Sequence, residues 1–160
     1  MGDLRRESRG PGRETEAAER RVTTAVELAA IGLKRRAWRT RLGRCFELAY
    51  LTLMDAPADS DWRLVHGTAK FDNERIISDC LRRENRTYDS ETRIAHAWLR
   101  RGSLVYDPAL DLLLDSDAYE ATLGAVEAAV YTRREAAELA AAHRNKGAWV
   151  ELDGLSELYQ

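Results

Sequence analysis

Three side chains in this sequence have the chemistry of a nucleophilic site: Cys45, His96 and Asp107. A thiolate can attack an acyl carbon, an imidazole can accept the thiol proton, and a carboxylate can hold that imidazole in one tautomer and orientation. The three residues lie far apart along the chain, so the chemistry depends on the elements that carry them.

His96 and Asp107 are predicted to lie on the two strands of one β-hairpin. Ile94 to Arg100 alternates as a strand does, Leu104 to Asp107 is rich in β-forming residues, and Gly102-Ser103 separates them. Gly at the first of two turn positions suits a type II′ turn, whose first residue has φ > 0. The predicted cross-strand pairs are Arg101 with Leu104, Leu99 with Tyr106, and Trp98 with Asp107. In that register His96 and Asp107 are diagonal neighbours on one face, whereas a three-residue turn would separate them.

Cys45 is predicted to lie in the first turn of an α-helix, because Gly43 interrupts the preceding segment and apolar residues then follow at helical spacing. These apolar residues are Phe46, Ala49, Tyr50, Leu53 and Met54. The positive end of the helix dipole favours a thiolate, and Arg41 and Arg44 add positive charge nearby. A backbone N–H at the same helix start could stabilise an oxyanion. The alternative is a buried structural cysteine.

These segments resemble the papain-like, transglutaminase-like superfamily of cysteine enzymes. The superfamily pattern is a Cys at a helix N-terminus, then His-x-Trp on a strand, then Asp on the next strand. The matching segments are Gly43-Arg44-Cys45-Phe46-Glu47-Leu48-Ala49, Arg63-Leu64-Val65-His66-Gly67, Ala95-His96-Ala97-Trp98-Leu99 and Val105-Tyr106-Asp107-Pro108. The chain looks closest to small uncharacterised bacterial and phage proteins of this type. It is more distantly similar to the leader peptidases of lasso-peptide biosynthesis.

The resemblance implies roles for the three residues: Cys45 as nucleophile, His96 as general base and acid, and Asp107 as the group that orients the imidazole. It also implies an α+β fold with a papain-like core, comprising a helical N-terminal part, an antiparallel sheet and a C-terminal helix. The superfamily contains peptidases, amidases, transglutaminases, acyltransferases and inactive members. The resemblance therefore implies a peptide or protein substrate, and it leaves open whether the acyl group passes to water or to an amine. No cofactor and no metal are expected.

Four further residues are candidates for contacting the substrate or its oxyanion: Trp38, Glu47, His66 and Trp98. Papain-like enzymes often place a Gln before the Cys for this purpose, but the only Gln here is Gln160. Transglutaminases resemble a variant with a Trp indole in that role, which makes Trp38 a candidate, with a helix-face aromatic as the alternative. Glu47 follows the thiol by less than one helical turn, where a solvated carboxylate is the alternative. His66 ends a strand and could line the same cleft or bond to backbone.

Composition fits one ordinary globular domain in a chain of 160 residues, with 44% hydrophobic and 32% charged residues. No apolar run is long enough to span a membrane, and the N-terminus lacks the apolar stretch of a secretory signal. We therefore expect a cytoplasmic location, with Cys45 and Cys80 as reduced thiols. No close pairing of Cys or His residues supports a zinc site.

Positive charge is concentrated near the N-terminus, where residues 1–44 hold twelve Lys and Arg against six Asp and Glu. The densest part comprises Lys34, Arg35, Arg36, Arg39, Arg41 and Arg44, with Trp38 among them. Such a cluster could hold nucleic acid or an acidic partner, so an inactive papain-like binding module is the competing interpretation. We favour a solvated helix face that pairs with the acidic remainder, since no nucleic-acid-binding motif accompanies it.

The remaining elements follow from hydrophobic spacing and capping signals. Residues 1–13 are predicted to be a flexible charged tail and residues 14–160 a single domain. The predicted elements are an amphipathic helix from Glu14 to about Arg39, a strand from Trp62 to Gly67, a helix from Asn73 to Glu84, a helix from Ser116 to Leu123 with Ser116 as N-cap, a strand from Val126 to Tyr131, a helix opened by the Thr132/Glu135 capping box and running to about Asn145, and a tail that packs Trp149, Val150 and Leu152 on the domain. Within the segment from Asn73 to Glu84, Ile76-Ile77 would also fit a strand.

Overall fold

The computed structural model describes residues 23–36, 44–70 and 93–152. These residues form an α+β fold in which helices pack on a five-stranded antiparallel sheet. In chain order the elements are α1 (Ala25–Ala30), α2 (Cys45–Asp55), β1 (Arg63–Ala69), β2 (Ile94–Arg101), β3 (Leu104–Asp107), β4 (Leu112–Asp115), α3 (Ser116–Leu123), β5 (Val126–Tyr131) and α4 (Arg133–His143). The coarser part of the fold prediction, an α+β class with an antiparallel sheet and a helix near the C-terminus, is confirmed.

The sheet has the strand order β4-β3-β2-β1-β5, so β2 and β1 are interior strands. The predicted hairpin register is confirmed at two pairs, Arg101 with Leu104 and Leu99 with Tyr106. Gly102 has a φ of 59°, as the predicted turn requires.

The third predicted hairpin pair, Trp98 with Asp107, is wrong. The ladder between β2 and β3 ends one step earlier, at Leu99 and Tyr106, and Asp107 pairs with Leu112 of β4 on the other side of β3. The reason is local: the Asp107 carboxylate accepts hydrogen bonds from the N–H groups of Ala109 and Leu110, which turns the chain at this point.

Successive residues of β2 alternate between two apolar clusters, one on each face of the sheet. Ala95 and Ala97 belong to the first cluster, which α2 and α4 cover. Ile94 and Trp98 belong to the second, which also contains the α3 residue Tyr119. Both faces of β2 are therefore buried.

Gly67 of β1 is a point of unusually close approach between strands. A Cβ atom at this position would lie 2.1 Å from the Val126 carbonyl oxygen and 2.7 Å from the Trp98 ring. The ladder between β1 and β5 shifts register between His66 and Gly67. Only glycine allows β5 and the indole to come this near.

The long helix predicted from Glu14 to Arg39 is wrong over the described residues. Within them α1 begins after Thr24, whose hydroxyl forms a capping box with Glu27, and it ends at Ala30. Gly32 has a φ of 76°, which takes the chain out of the helix. Lys34 and the two arginines after it are consequently in irregular structure.

Other boundaries differ in detail. The strand predicted from Trp62 runs from Arg63 to Ala69, two residues beyond its predicted end. The N-cap of α3 is Asp115 rather than Ser116, because the Asp115 carboxylate accepts the bond from the Asp117 N–H.

The last helix and the segment after it follow the prediction closely. The Thr132/Glu135 capping box opens α4 as predicted, and Arg144 ends it in a left-handed conformation with a φ of 55°. Leu152 is buried, and Trp149 and Val150 pack on the first cluster as predicted. Strand β4 was not predicted, and the predicted helix from Asn73 to Glu84 lies outside the described residues.

Candidate functional site

Cys45 is the first residue of α2, as predicted. The first bond inside the helix runs from the Leu48 N–H to the Arg44 carbonyl at 2.9 Å. Cys45 is 4% exposed, and its Sγ lies 3.9 Å from the Ala95 carbonyl oxygen of β2. The thiol is therefore held at the junction of the helix start and the strand that carries His96.

His96 and Asp107 form a hydrogen-bonded pair on neighbouring strands. The His96 Nε2 lies 2.6 Å from the Asp107 Oδ2, and both side chains are buried. The electrostatic interaction of the same imidazole with Cys45 also favours the charged ring. The structure thus brings together the three residues predicted to form the site.

The environment of His96 favours the protonated imidazole. Burial alone would lower the pKa of His96, because it penalises the charged form. The negative charge of Asp107, the interaction with Cys45 and the hydrogen bond to Asp107 together outweigh burial and raise the pKa of His96 to about 10.

Asp107 has a partner for each of its four acceptor positions. Oδ1 accepts from the N–H groups of Ala109 at 2.9 Å and Leu110 at 3.1 Å. Oδ2 accepts from His96 and from the Tyr119 hydroxyl, the latter at 2.8 Å. Burial tends to raise the pKa of Asp107, but the charge of His96 and these hydrogen bonds lower it. The carboxylate is therefore held ionised and fixed in orientation.

Trp98 packs beside the imidazole, with ring centroids 6.0 Å apart. Its ring also lies 5.4 Å from that of Tyr119, and Trp98 is 1% exposed. Trp98 therefore lines the site and is itself buried in the core. Tyr119 was not predicted: the sequence indicated the helix that carries it but gave no signal that its hydroxyl reaches Asp107.

The Glu47 carboxylate forms salt bridges with two basic side chains beside α2. Its carboxylate contacts Arg44 at 2.5 Å and Lys146 at 3.0 Å. Burial tends to raise the pKa of Glu47, whereas the hydrogen bonds and charges of these two cations lower it. The predicted position close to Cys45 is confirmed, and the carboxylate is paired rather than simply solvated.

A pocket of about 1270 Å³ lies between the N-terminal half of α2, the C-terminal half of α4 and the segment after it. Its described lining includes Arg44, Phe46 and Glu47, but neither Cys45 nor His96. This pocket therefore adjoins the start of α2 without being lined by Cys45 or His96.

His66 does not join the site, and the two predictions for it are wrong. It pairs with Ala97, so it faces the first cluster, opposite to the face of His96. Neither of its ring nitrogens has a hydrogen-bond partner among the described residues. Three aromatic rings surround it, those of Phe46 at 4.8 Å, Tyr131 at 5.0 Å and Trp149 at 5.0 Å. Burial lowers the pKa of His66 to about 3.

The described part of the basic cluster pairs with acidic residues. Arg35 contacts Asp111 at 2.9 Å, and Arg36 contacts Asp55 at 2.7 Å. The favoured pairing with the acidic remainder is confirmed for these two arginines, although they lie in irregular structure rather than on a helix face. Trp38, Arg39, Arg41 and Cys80 lie outside the described residues.

No family model, curated protein or solved structure matches this chain. Within the described residues no group of three or more His, Cys, Asp or Glu side chains could hold a metal ion. Among the helices that the structure describes, none is both long and apolar enough to cross a bilayer. The function is therefore inferred from the geometry and chemistry of the described site.

Proposed function

We propose that this chain is a cysteine-dependent acyl-transfer enzyme with a papain-like catalytic arrangement. The observation that carries the proposal is the buried chain from Asp107 to His96 to Cys45. In it, one ring nitrogen of His96 bonds to the carboxylate at 2.6 Å while the thiol acts on the same ring. A helix N-terminus that presents a thiol to this pair supports nucleophilic attack on an amide or other acyl carbon.

The reaction would begin from a thiolate beside an imidazolium. The Cys45 thiolate attacks the acyl carbon and forms a tetrahedral intermediate, whose negative oxygen needs hydrogen-bond donors. As this intermediate collapses, the His96 imidazolium gives its proton to the leaving amine, and a thioester on Cys45 remains. The neutral imidazole then takes a proton from water or an acceptor amine, which attacks the thioester and releases the acyl product. The thiolate and the imidazolium are thereby restored.

The start of α2 supplies a donor for the oxyanion. The N–H group of Cys45 precedes the first bond inside the helix, so it has no partner within the helix. Its position at the nucleophile suits backbone stabilisation of the oxyanion. Trp38 stays a prediction for a second donor.

The energetic cost of the buried charged pair also supports a catalytic role. His96 and Asp107 are 3% and 0% exposed, and two charges removed from water recover little net stability. Perturbed pKa values of this kind, in groups that also have mutually suitable geometry, are typical of functional sites.

The second candidate is an inactive papain-like binding module, and the enclosure of the site favours it. Cys45 is only 4% exposed, and the described pocket is lined by its neighbours rather than by Cys45 itself. A module of this kind would hold a protein or nucleic-acid partner without turning it over. Its thiol would have no need of activation by His96.

Thiol labelling separates the two candidates. In a Cys80→Ser background, we expect iodoacetamide at neutral pH to label Cys45 at least about tenfold faster than in a His96→Ala variant, because the imidazolium favours the thiolate. His66→Leu is the matched control, since it removes another buried histidine of the same sheet. It should leave the labelling rate unchanged.

Equal labelling rates in the parent and His96→Ala proteins, with both folded by circular dichroism, would contradict an activated nucleophile and support the binding module. If activation is found, incubation with a peptide mixture with and without an added primary amine distinguishes hydrolysis from amine transfer. Mass spectrometry would detect a gain of water in the first case and a gain of the amine in the second.

A further inference from the structure

Tyr119 extends the polar chain of the site beyond Asp107. Its hydroxyl donates to Asp107 Oδ2 at 2.8 Å, and the same oxygen bonds to His96 at 2.6 Å. Tyr119 is 2% exposed and Asp107 is fully buried, so water does not compete for this bond.

The position of Tyr119 is fixed from both ends of α3. At its start the helix is capped by Asp115, and the Ser116 N–H bonds to the Ser103 carbonyl in the hairpin turn at 2.6 Å. At its end Gly124 closes the helix with a φ of 54°. The tyrosine ring also packs on Trp98, which lies beside the imidazole. The hydroxyl is therefore held in register with the hairpin.

The chemistry of this contact favours one protonation pattern. Burial, together with the charge of Asp107, raises the pKa of Tyr119 well above its ordinary value, so the phenol stays protonated and can only donate here. A donor on Oδ2 favours the ionised carboxylate and restrains its rotation. An ionised and fixed carboxylate in turn keeps the imidazole in place.

We infer that Tyr119 is a positioning residue, which acts through Asp107 to hold His96 in the orientation and charge state that activate Cys45. The inference rests on the proposed function. Among the described residues, the titratable groups that act on this carboxylate and imidazole include Cys45 from α2, His96 from β2, Asp107 from β3 and Tyr119 from α3.

The sequence offers a matched control for the test. Tyr106, which is 1% exposed, also donates its hydroxyl to a carboxylate, that of Asp111 at 3.1 Å. Tyr119→Phe and Tyr106→Phe each remove one buried hydroxyl from a carboxylate and keep the ring. A merely structural role predicts the same consequence for both changes.

The experiment measures the rate of iodoacetamide labelling of Cys45 against pH in the Cys80→Ser background. We expect Tyr119→Phe to slow labelling by about tenfold, the scale of a hydrogen bond to a charged group. In Tyr119→Phe, the acidic limb of the plot of labelling rate against pH should move to higher pH. The lost hydroxyl helps to lower the pKa of Asp107 in the parent protein, so its removal raises that pKa. Tyr106→Phe should leave both the rate and the profile unchanged.

The outcomes separate this inference from the proposed function. If Tyr119→Phe behaves as Tyr106→Phe does while His96→Ala remains slow, the positioning role is wrong and the nucleophile stands. If His96→Ala labels as fast as the parent protein, the proposed function itself is wrong.

Should Tyr119→Phe fail to fold, 3-fluorotyrosine is incorporated at position 119 instead. It keeps the shape of the ring and has a more acidic hydroxyl, which is a stronger hydrogen-bond donor. The acidic limb should then move to lower pH, and an unmoved limb overturns the inference.

Discussion

His96 and His66 lie on adjacent strands of one sheet and are both buried, yet their surroundings have opposite effects. His96 is bonded to a carboxylate, and its pKa is raised to about 10. His66 lies among aromatic rings without a hydrogen-bond partner in the described structure, and its pKa is lowered to about 3. Burial lowers the pKa in both cases, so the difference comes from the partners that His96 has and His66 lacks.

The same comparison explains why only His96 suits the proposed catalytic role. The partners of His96 keep a proton on the ring. His66 would remain neutral throughout the physiological range and faces the opposite side of the sheet. A buried histidine in a strand therefore acquires a function through the residues across from it rather than through burial.

The largest expected effect comes from making His96 resemble His66. Asp107→Asn removes the negative charge, so the pKa of His96 should fall below its ordinary value of 6.5. Breaking the buried pair should also cost about 3–5 kcal/mol in the free energy of unfolding at neutral pH. NMR titration of the imidazole and urea unfolding measure the two effects. If the pKa of His96 in Asp107→Asn stays near its value in the parent protein, the charge of Asp107 does not cause the raised pKa.

A second test uses the opposite pH windows of the two histidines. The folded-state pKa of His66 is about 3 against an ordinary 6.5. The neutral ring of His66 therefore makes its full contribution to the free energy of unfolding above pH 6.5, and this contribution is lost as the pH falls toward 3. We expect a loss on the order of 3 kcal/mol between pH 8 and pH 4.

For His96 the pH dependence of stability has the opposite sign, because the folded-state pKa of His96 is raised. Its contribution to stability is complete below its unfolded value of 6.5 and is lost as the pH rises through about 10. Urea unfolding across pH should show that His66→Leu removes part of the acid loss and His96→Ala part of the alkaline loss. Variants with identical pH dependence would contradict the comparison.

The smallest expected effect is that of His66→Leu at neutral pH. Leucine replaces a buried ring whose two nitrogens have no described hydrogen-bond partner, so we expect about 1 kcal/mol of added stability. The midpoint of urea unfolding measures this gain. A loss of several kcal/mol would mean that the contacts of the ring with its aromatic neighbours outweigh the unsatisfied nitrogens.

Local signals predicted much of the fold. The Gly102-Ser103 turn defined the hairpin, and the Thr132/Glu135 capping box defined the start of α4. The capping box of Thr24 and Glu27 was equally local, but the apolar spacing around it suggested a longer helix than the one from Ala25 to Ala30. Strand β4 was missed because three consecutive leucines show no alternation.

The site was predictable where it depended on the hairpin and unpredictable where it depended on packing between elements. The parity of a two-residue turn brings His96 and Asp107 to one face. No such rule places the Tyr119 hydroxyl on Asp107 or encloses His66 among rings from other elements. Those contacts depend on how α3 and the segment after α4 dock on the sheet, which periodicity does not encode.

The hairpin also has a consequence for the order of folding. His96 and Asp107 are eleven positions apart and joined by a tight turn, whereas Cys45 lies fifty positions before its contact at Ala95. Contacts that are close in sequence cost less loop entropy and form sooner. The imidazole and carboxylate can therefore meet as soon as the hairpin closes, and the thiol joins them only when α2 docks on the sheet. In the proposed mechanism, a folding chain would therefore acquire its base before its nucleophile, and the thiol would become reactive only in the nearly completed fold.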